Sequence, residues 1–237
     1  MADLSGESDV GQARLLQALA EQIKMPLMHI ARRAELYRDQ DETRQTLLQI
    51  EHTANLALRL IDNYLLSTRL SQMTLALEPV SLSAILHDTA EALRPIARQY
   101  NCELELSVAG KYGPVMAHRN GLQAALLSLG HVFIEAGRQP GVKKSRVTLA
   151  AHRTSGGIAA GVFSETAELT SATYQRAREL YGRASQPLGE LTAGSGAGVF
   201  VADSLLAAMA APLRVASHQK ISGLAATFIP SRQLSFV

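Results

Sequence analysis

Val115-Met116-Ala117-His118-Arg119-Asn120-Gly121-Leu122-Gln123-Ala124-Ala125-Leu126-Leu127 reads as a short strand running directly into a helix. The strand covers Val115 to His118. The helix continues to about Glu135, with Gly137 to close it. Toward the N-terminus, Glu103 to Val108 alternates as a strand, with Leu104, Leu106 and Val108 on one side. Gly110 to Pro114 is the turn between the two strands. Ser81 or Ser83 caps a further helix that runs to about Gln99, and Leu77-Glu78-Pro79-Val80 reads as a linker. Toward the C-terminus, Arg146 to His152 and Ile158 to Phe163 flank Ser155-Gly156-Gly157, a hairpin signal. Ser171 to Gly182 reads as a short amphipathic helix, Gln186 to Gly194 as a loop, and Gly196 to Ala211 as an Ala-rich helix. Leu213 to His218 and Leu224 to Ile229 are the last strands, joined at Ser222-Gly223. The expected architecture over residues 80–232 is an α+β sandwich, with helices over one face of a mixed sheet.

Residues 11–76 have a different pattern. Leu16, Ile23, Ile30 and Tyr37 recur every seven residues, and Leu19 and Leu27 fill the stripe between them. Pro26 interrupts this helix and predicts a kink near Met25. After the polar break Asp39-Gln40-Asp41, a second helix is expected from Glu42 to Met73, with Leu47, Ile50, Ala54, Ala57, Leu60, Ile61, Tyr64 and Leu65 as its apolar positions. A lone two-helix hairpin cannot bury both apolar faces. Two hairpins paired as a four-helix bundle can, so a homodimer is predicted.

Composition narrows the function classes. The chain has 237 residues, 47% of them hydrophobic, which supports a sizeable core; aromatics are 5% and Trp is absent, so that core is aliphatic. With 23 basic and 21 acidic residues, the net charge of +2 lacks the basic excess of a nucleic-acid binder. The cluster Lys143-Lys144-Ser145-Arg146 reads as a solvated turn before a strand. Cys102 is the single cysteine, which excludes an internal disulfide and a cysteine-rich metal site; it reads as a half-buried strand residue. No spacing among the seven histidines suggests a metal site. Met1 to Val10 is polar with no apolar signal core, and no stretch approaches the ~20 apolar residues of a membrane span. A cytoplasmic protein is expected, with no membrane partner and no room for a sensor domain ahead of the first helix.

The ordered motifs resemble the catalytic core of histidine kinases. Gln22-Ile23-Lys24-Met25-Pro26-Leu27 is similar to their H-box, His-Glu-Leu-Arg-Thr-Pro-Leu. Val80-Ser81-Leu82, then Leu93-Arg94-Pro95-Ile96-Ala97 and Glu103-Leu104-Glu105-Leu106, follow the opening of the family's ATPase domain. Val115 to His118 leading into Leu122 to Leu127 resembles the strand and helix that carry the N-box. Gly194-Ser195-Gly196-Ala197-Gly198 resembles the second glycine box, and Ser222-Gly223-Leu224-Ala225-Ala226-Thr227-Phe228 the closing strand. The resemblance spans Leu15 to Pro230. It implies a dimerisation hairpin followed by an ATPase domain of the histidine-kinase (Bergerat) type.

The chemical positions depart from that pattern. Glu21 falls where the resemblance places the phospho-accepting histidine, and a glutamate cannot be that imidazole nucleophile. Ser128 and Val132 fall where the N-box supplies asparagines, one of them a magnesium ligand. Valine offers no oxygen to a cation that requires oxygen ligands. Glu135 stands where lysine is frequent. In the first glycine box, Ser164 or Glu165 takes the place of the adenine-recognising aspartate, depending on a one-residue shift, and Thr166 and Glu168 replace glycines. The second glycine box keeps Gly194, Gly196 and Gly198 ahead of a helix, where free backbone donors suit phosphate. The same glycines suit a tight turn with no ligand.

The expectation is therefore a pseudokinase: no catalytic residue, no metal, and neither ATP nor magnesium as a cofactor. Glu21, Lys24 and His29 mark a docking face on the hairpin, where the resemblance implies a response-regulator receiver domain or a histidine kinase as partner. On its own, Glu21 reads as a charged residue on the solvated face of an amphipathic helix. Two other functions stay open: a phosphotransfer protein using His29 or His52, and a nucleotide-binding sensor using Gly194, Gly196 and Gly198. His29 lies about 80° around the helix from Glu21. His131 is expected to be partly buried against the sheet, and His87 to lie at the surface.

Overall fold

The computed structural model describes residues 76–108, 110–137, 144–165 and 195–231, and the single positions Ile23, Leu27, His29, Ile30, Ile50, Asp62 and Leu66. Those seven positions are all helical. The rest of the expected hairpin lies outside the described residues, as do Glu21, Lys24, His52 and Gly194, the helix expected at Ser171 to Gly182 and the loop after it.

The described part of the α+β domain runs β1 (Glu78–Val80), α1 (Leu82–Gln99), β2 (Cys102–Val108), β3 (Val115–Ala117), α2 (Arg119–Ala136), β4 (Ser145–Thr154), β5 (Gly157–Ser164), α3 (Ser195–Ala208), β6 (Arg214–His218) and β7 (Ile221–Phe228). The main sheet has five strands in the order β2-β4-β5-β7-β6. β2 is parallel to β4, and every other neighbour is antiparallel. The sheet is thus mixed, and α1, α2 and α3 form one layer on a single face of it, as the sequence predicts.

Each helix has a legible cause. α1 buries Leu82, Ile85, Leu86, Thr89, Ala90, Leu93, Ile96 and Ala97, a stripe with helical spacing. Ser81 is its N-cap, and its Oγ accepts the Ala84 N–H at 3.4 Å. Asn101 follows the helix at φ 52, the left-handed region that asparagine tolerates best after glycine. α2 is different, being buried on nearly all sides, with only Gln123, Leu127, His131 and Glu135 partly open beyond its first two residues. A helix apolar all round belongs in the middle of a layer, and α2 packs between α1 and α3. Gly130 makes the close approach to α1 possible, because a Cβ there would run into the Leu93 side chain.

Several expectations are corrected. Leu77 to Val80 is not only a linker: Glu78–Val80 is a strand that pairs antiparallel with β3. Pro79 is tolerated there because a proline with no N–H fits an edge strand. The final turn lies at Gln219-Lys220, both with positive φ (49 and 69), and not at Ser222-Gly223. Two left-handed residues between paired strands make the turn whose twist matches a hairpin. The Ala-rich helix ends at Ala208, short of the expected Ala211. On β2, Leu104 and Val108 pack against the core, but Leu106 is 41% exposed because β2 is an edge strand. Cys102 is buried, more fully than expected.

The sheet face opposite the helices is lined by small residues. Ala150, Gly161 and Ala225 share one row, and Gly223 and Ala216 the next. Phe163 sits among them, fully buried. By register, His218 at the end of β6 lies six rows from His152 on β4. On a flat sheet six rows are about 20 Å, yet the two rings are 5.2 Å apart. The sheet must therefore coil until opposite corners meet over this face, as strand twist allows. The coil also explains the glycines. A Cβ at Gly161 would collide with the Leu224 carbonyl, and one at Gly223 with the Val162 carbonyl.

Candidate functional site

The site to test is the surface between α2 and the start of α3, where the resemblance implies a nucleotide. β3 delivers the chain to α2, and His118 caps it through Nδ1, which accepts the Gly121 N–H at 3.1 Å. The His118 N–H in turn points at Met209 Sδ at 3.3 Å, tying the start of α2 to the end of α3.

Ser128 and Val132, the asparagine positions of the resemblance, are each only 2% exposed. They lie inside the helix layer and do not form an open wall. The partly open stripe of α2 is instead Gln123, Leu127, His131 and Glu135. His131 Nδ1 lies 3.7 Å from Glu135 Oε2, while its Nε2 is closed off from solvent with no hydrogen-bond partner. Burial pushes this imidazole below the ordinary histidine range and outweighs the opposing pull of Glu135. His131 is thus partly buried, as expected, and at neutral pH its contact with Glu135 is not an ion pair.

At the positions compared with the first glycine box, strand alternation puts the two candidates on opposite sides of the sheet. Ser164 is buried in the row of Val147, on the helix side. Glu165 is exposed and bonds Arg146 at 3.3 Å on the opposite face. Arg146 also lies 3.3 Å from Glu105, and Lys144 lies 3.1 Å from Glu103, so the basic cluster neutralises strand carboxylates in solvent. Exposed pairs of this kind contribute little stability. Of the two stand-ins for the aspartate, only Ser164 points toward the helix layer.

At the positions compared with the second glycine box, Gly196 and Gly198 lie within α3. Gly198 is buried. His29 is helical and partly exposed, His87 is exposed as expected, and among the described residues no group of three or more metal-ligating side chains occurs. Sequence reasoning missed one cluster altogether, the His152–His218 pair on the coiled face.

No family model matches the chain, and no curated protein does either. Solved structures do. The Acinetobacter baumannii histidine kinase AdeS matches 89% of this chain over 97% of its own, at 12% identity and a TM-score of 0.55. Full-length ShkA in complex with AMPPNP matches 94% of this chain over 46% of its own, at 18% identity and a TM-score of 0.53. The catalytic domain of the histidine kinase ThkA matches 66% of this chain over 96% of its own, at 11% identity and a TM-score of 0.51. The chain therefore shares the fold of histidine-kinase catalytic cores. At these identities the likeness is one of fold. None of the described helices is long and apolar enough to cross a membrane.

Proposed function

We propose that this chain is a non-catalytic, dimeric adaptor or regulator in two-component signalling. What carries the reading is the state of the N-box positions: Ser128 and Val132 are both closed into the helix layer, and valine has no oxygen for magnesium. Glu165 on the far face, engaged with Arg146, supports it further. Glu21 in place of the phospho-acceptor removes the nucleophile of the kinase reaction. With the chemistry gone, the hairpin is the seat of function, through dimerisation and docking of a receiver domain or a kinase at Glu21, Lys24 and His29.

The test is incubation of the purified chain with labelled ATP and magnesium, with and without receiver domains. The expected result is no label on any protein, together with a dimer by light scattering. Transfer of label from ATP would sink the proposal. The second reading is phosphotransfer through His29, which its helical, partly exposed position favours. Acid-labile phosphate taken from a phosphorylated receiver and abolished by His29→Ala would select that reading.

A further inference from the structure

The geometry points to a divalent-cation site on the coiled sheet face, formed by Nδ1 of His152 and Nδ1 of His218, for a borderline metal such as zinc, nickel or cobalt(II). The two nitrogens face each other 3.3 Å apart. Two imidazole nitrogens on one tetrahedral ion, each about 2.0–2.1 Å from it, stand about 3.3–3.4 Å apart. The ring centres give a second measure. A ring centre lies about 1.1–1.2 Å behind its nitrogen, so tetrahedral ligation places the centres about 5.2 Å apart, against about 5.6 Å for a head-on hydrogen bond. The observed separation is 5.2 Å, with the rings inclined at 33°. The ring separation matches ligation of one ion, and in the structure the same two nitrogens share a hydrogen bond.

The surroundings fit this role. Ser107 Oγ lies 2.9 Å from Nε2 of His218. When that oxygen accepts the Nε2 proton, the Nδ1 lone pair of His218 is left free, as a metal-bound imidazole requires. Phe163 packs against both rings, at 6.3 and 5.4 Å between centres, and holds them in place. His218 is buried. His152 is only partly buried, which leaves an approach from solvent. Imidazole nitrogen suits zinc, nickel and copper rather than magnesium or calcium. No third histidine, cysteine or carboxylate joins the pair among the described residues, so the proposed shell is the two imidazoles and water, with binding tighter than millimolar expected. The site lies on the sheet face opposite α2, and nothing in it depends on the proposed signalling role.

The test uses the full chain stripped of metal with a chelator, then titrated by calorimetry with zinc and, in parallel, with cobalt(II). The expected result is one ion per chain, a tetrahedral cobalt spectrum without a thiolate band, and a rise in melting temperature on zinc addition. His152→Ala and His218→Ala each weaken binding at least tenfold, Ser107→Ala weakens it several-fold, and His87→Ala leaves it unchanged. His152, being partly exposed, is the variant whose unliganded fold is verified first by circular dichroism. Absence of binding below millimolar in the native chain overturns the inference. So does binding that survives both His152→Ala and His218→Ala, which would place the ion elsewhere.

Discussion

Replacing Gly161 by alanine should destabilise the sheet more than its size suggests. Gly161 is in the middle of β5, opposite Ala225 on β7. A Cβ there would be driven into the Leu224 carbonyl oxygen and would lie 2.6 Å from both Cα and Cβ of Ala225. None of these atoms can swing aside, since all belong to the backbone or are fixed to it. The strands must part by roughly 1 Å at this row. Two weakened ladder hydrogen bonds cost about 1 kcal/mol each, and overpacking adds about 1–3 kcal/mol. The smaller unfolded-state entropy of alanine returns about 0.4–1 kcal/mol. The net loss is about 3 kcal/mol, or about 6–12 °C of melting temperature for a domain of this size. Thermal denaturation followed by circular dichroism reads it directly. Gly113→Ala is the internal control: it has open space and no positive φ, and should change stability by less than about 0.5 kcal/mol. Equal melting temperatures for the two variants would refute the collision, and with it the coiled shape of the sheet.

Val132→Asn, which restores the oxygen of the N-box, should not restore magnesium-dependent ATP binding by calorimetry, and should cost about 1–3 kcal/mol by burying an amide. Recovery of micromolar binding would show that the helix layer opens as a nucleotide cleft. Stability should fall as pH drops below neutral. His131 and His218 are both held below the ordinary value of 6.5, so the unfolded chain takes up protons first. Their contribution is constant above about 6.5 and is lost between that value and their lower folded ones. His218→Gln should flatten the slope in urea titrations across that window, and an unchanged slope would count against it. Burial pushes the Cys102 thiol above its ordinary value, so native protein should react with a disulfide reagent only at the rate at which it opens. Rapid stoichiometric labelling of this single thiol without denaturant would contradict its burial.

Much of the domain was legible because its signals are local. The stripe of α1 from Leu82 to Ala97, the Ser155-Gly156-Gly157 turn and the run from Val115 into α2 each declare themselves within a few residues. The features that were not legible depend on partners far away in the chain. Glu78–Val80 is three residues long and contains a proline, and only its pairing with β3 makes it a strand. Gly223 looked like a turn residue, but it is required in β7 by the close backbone of β5, while the true turn uses Gln219 and Lys220 in conformations that seldom suit such side chains. For the candidate site, the motif positions singled out Ser128, Val132 and Gly198 in the sequence but could not reveal that they are buried. The His152–His218 pair arises from sheet coiling, which no spacing along the chain encodes.

The order in which the strands join bears on how this domain assembles. β4–β5 and β6–β7 are local hairpins that can form within microseconds. Joining them at Ile158 and Phe228 closes a loop of about 70 residues, and β2 reaches β4 only after the chain has passed through β3 and α2. Pairings this distant make folding slow, on the millisecond-to-second scale. Until they form, the inner edge of each hairpin is an unpaired template for other chains. Synthesis from the N-terminus releases β6 and β7 last, so nascent β5 waits longest for its neighbour. That edge is where a chaperone, or an aggregate, would meet this protein first.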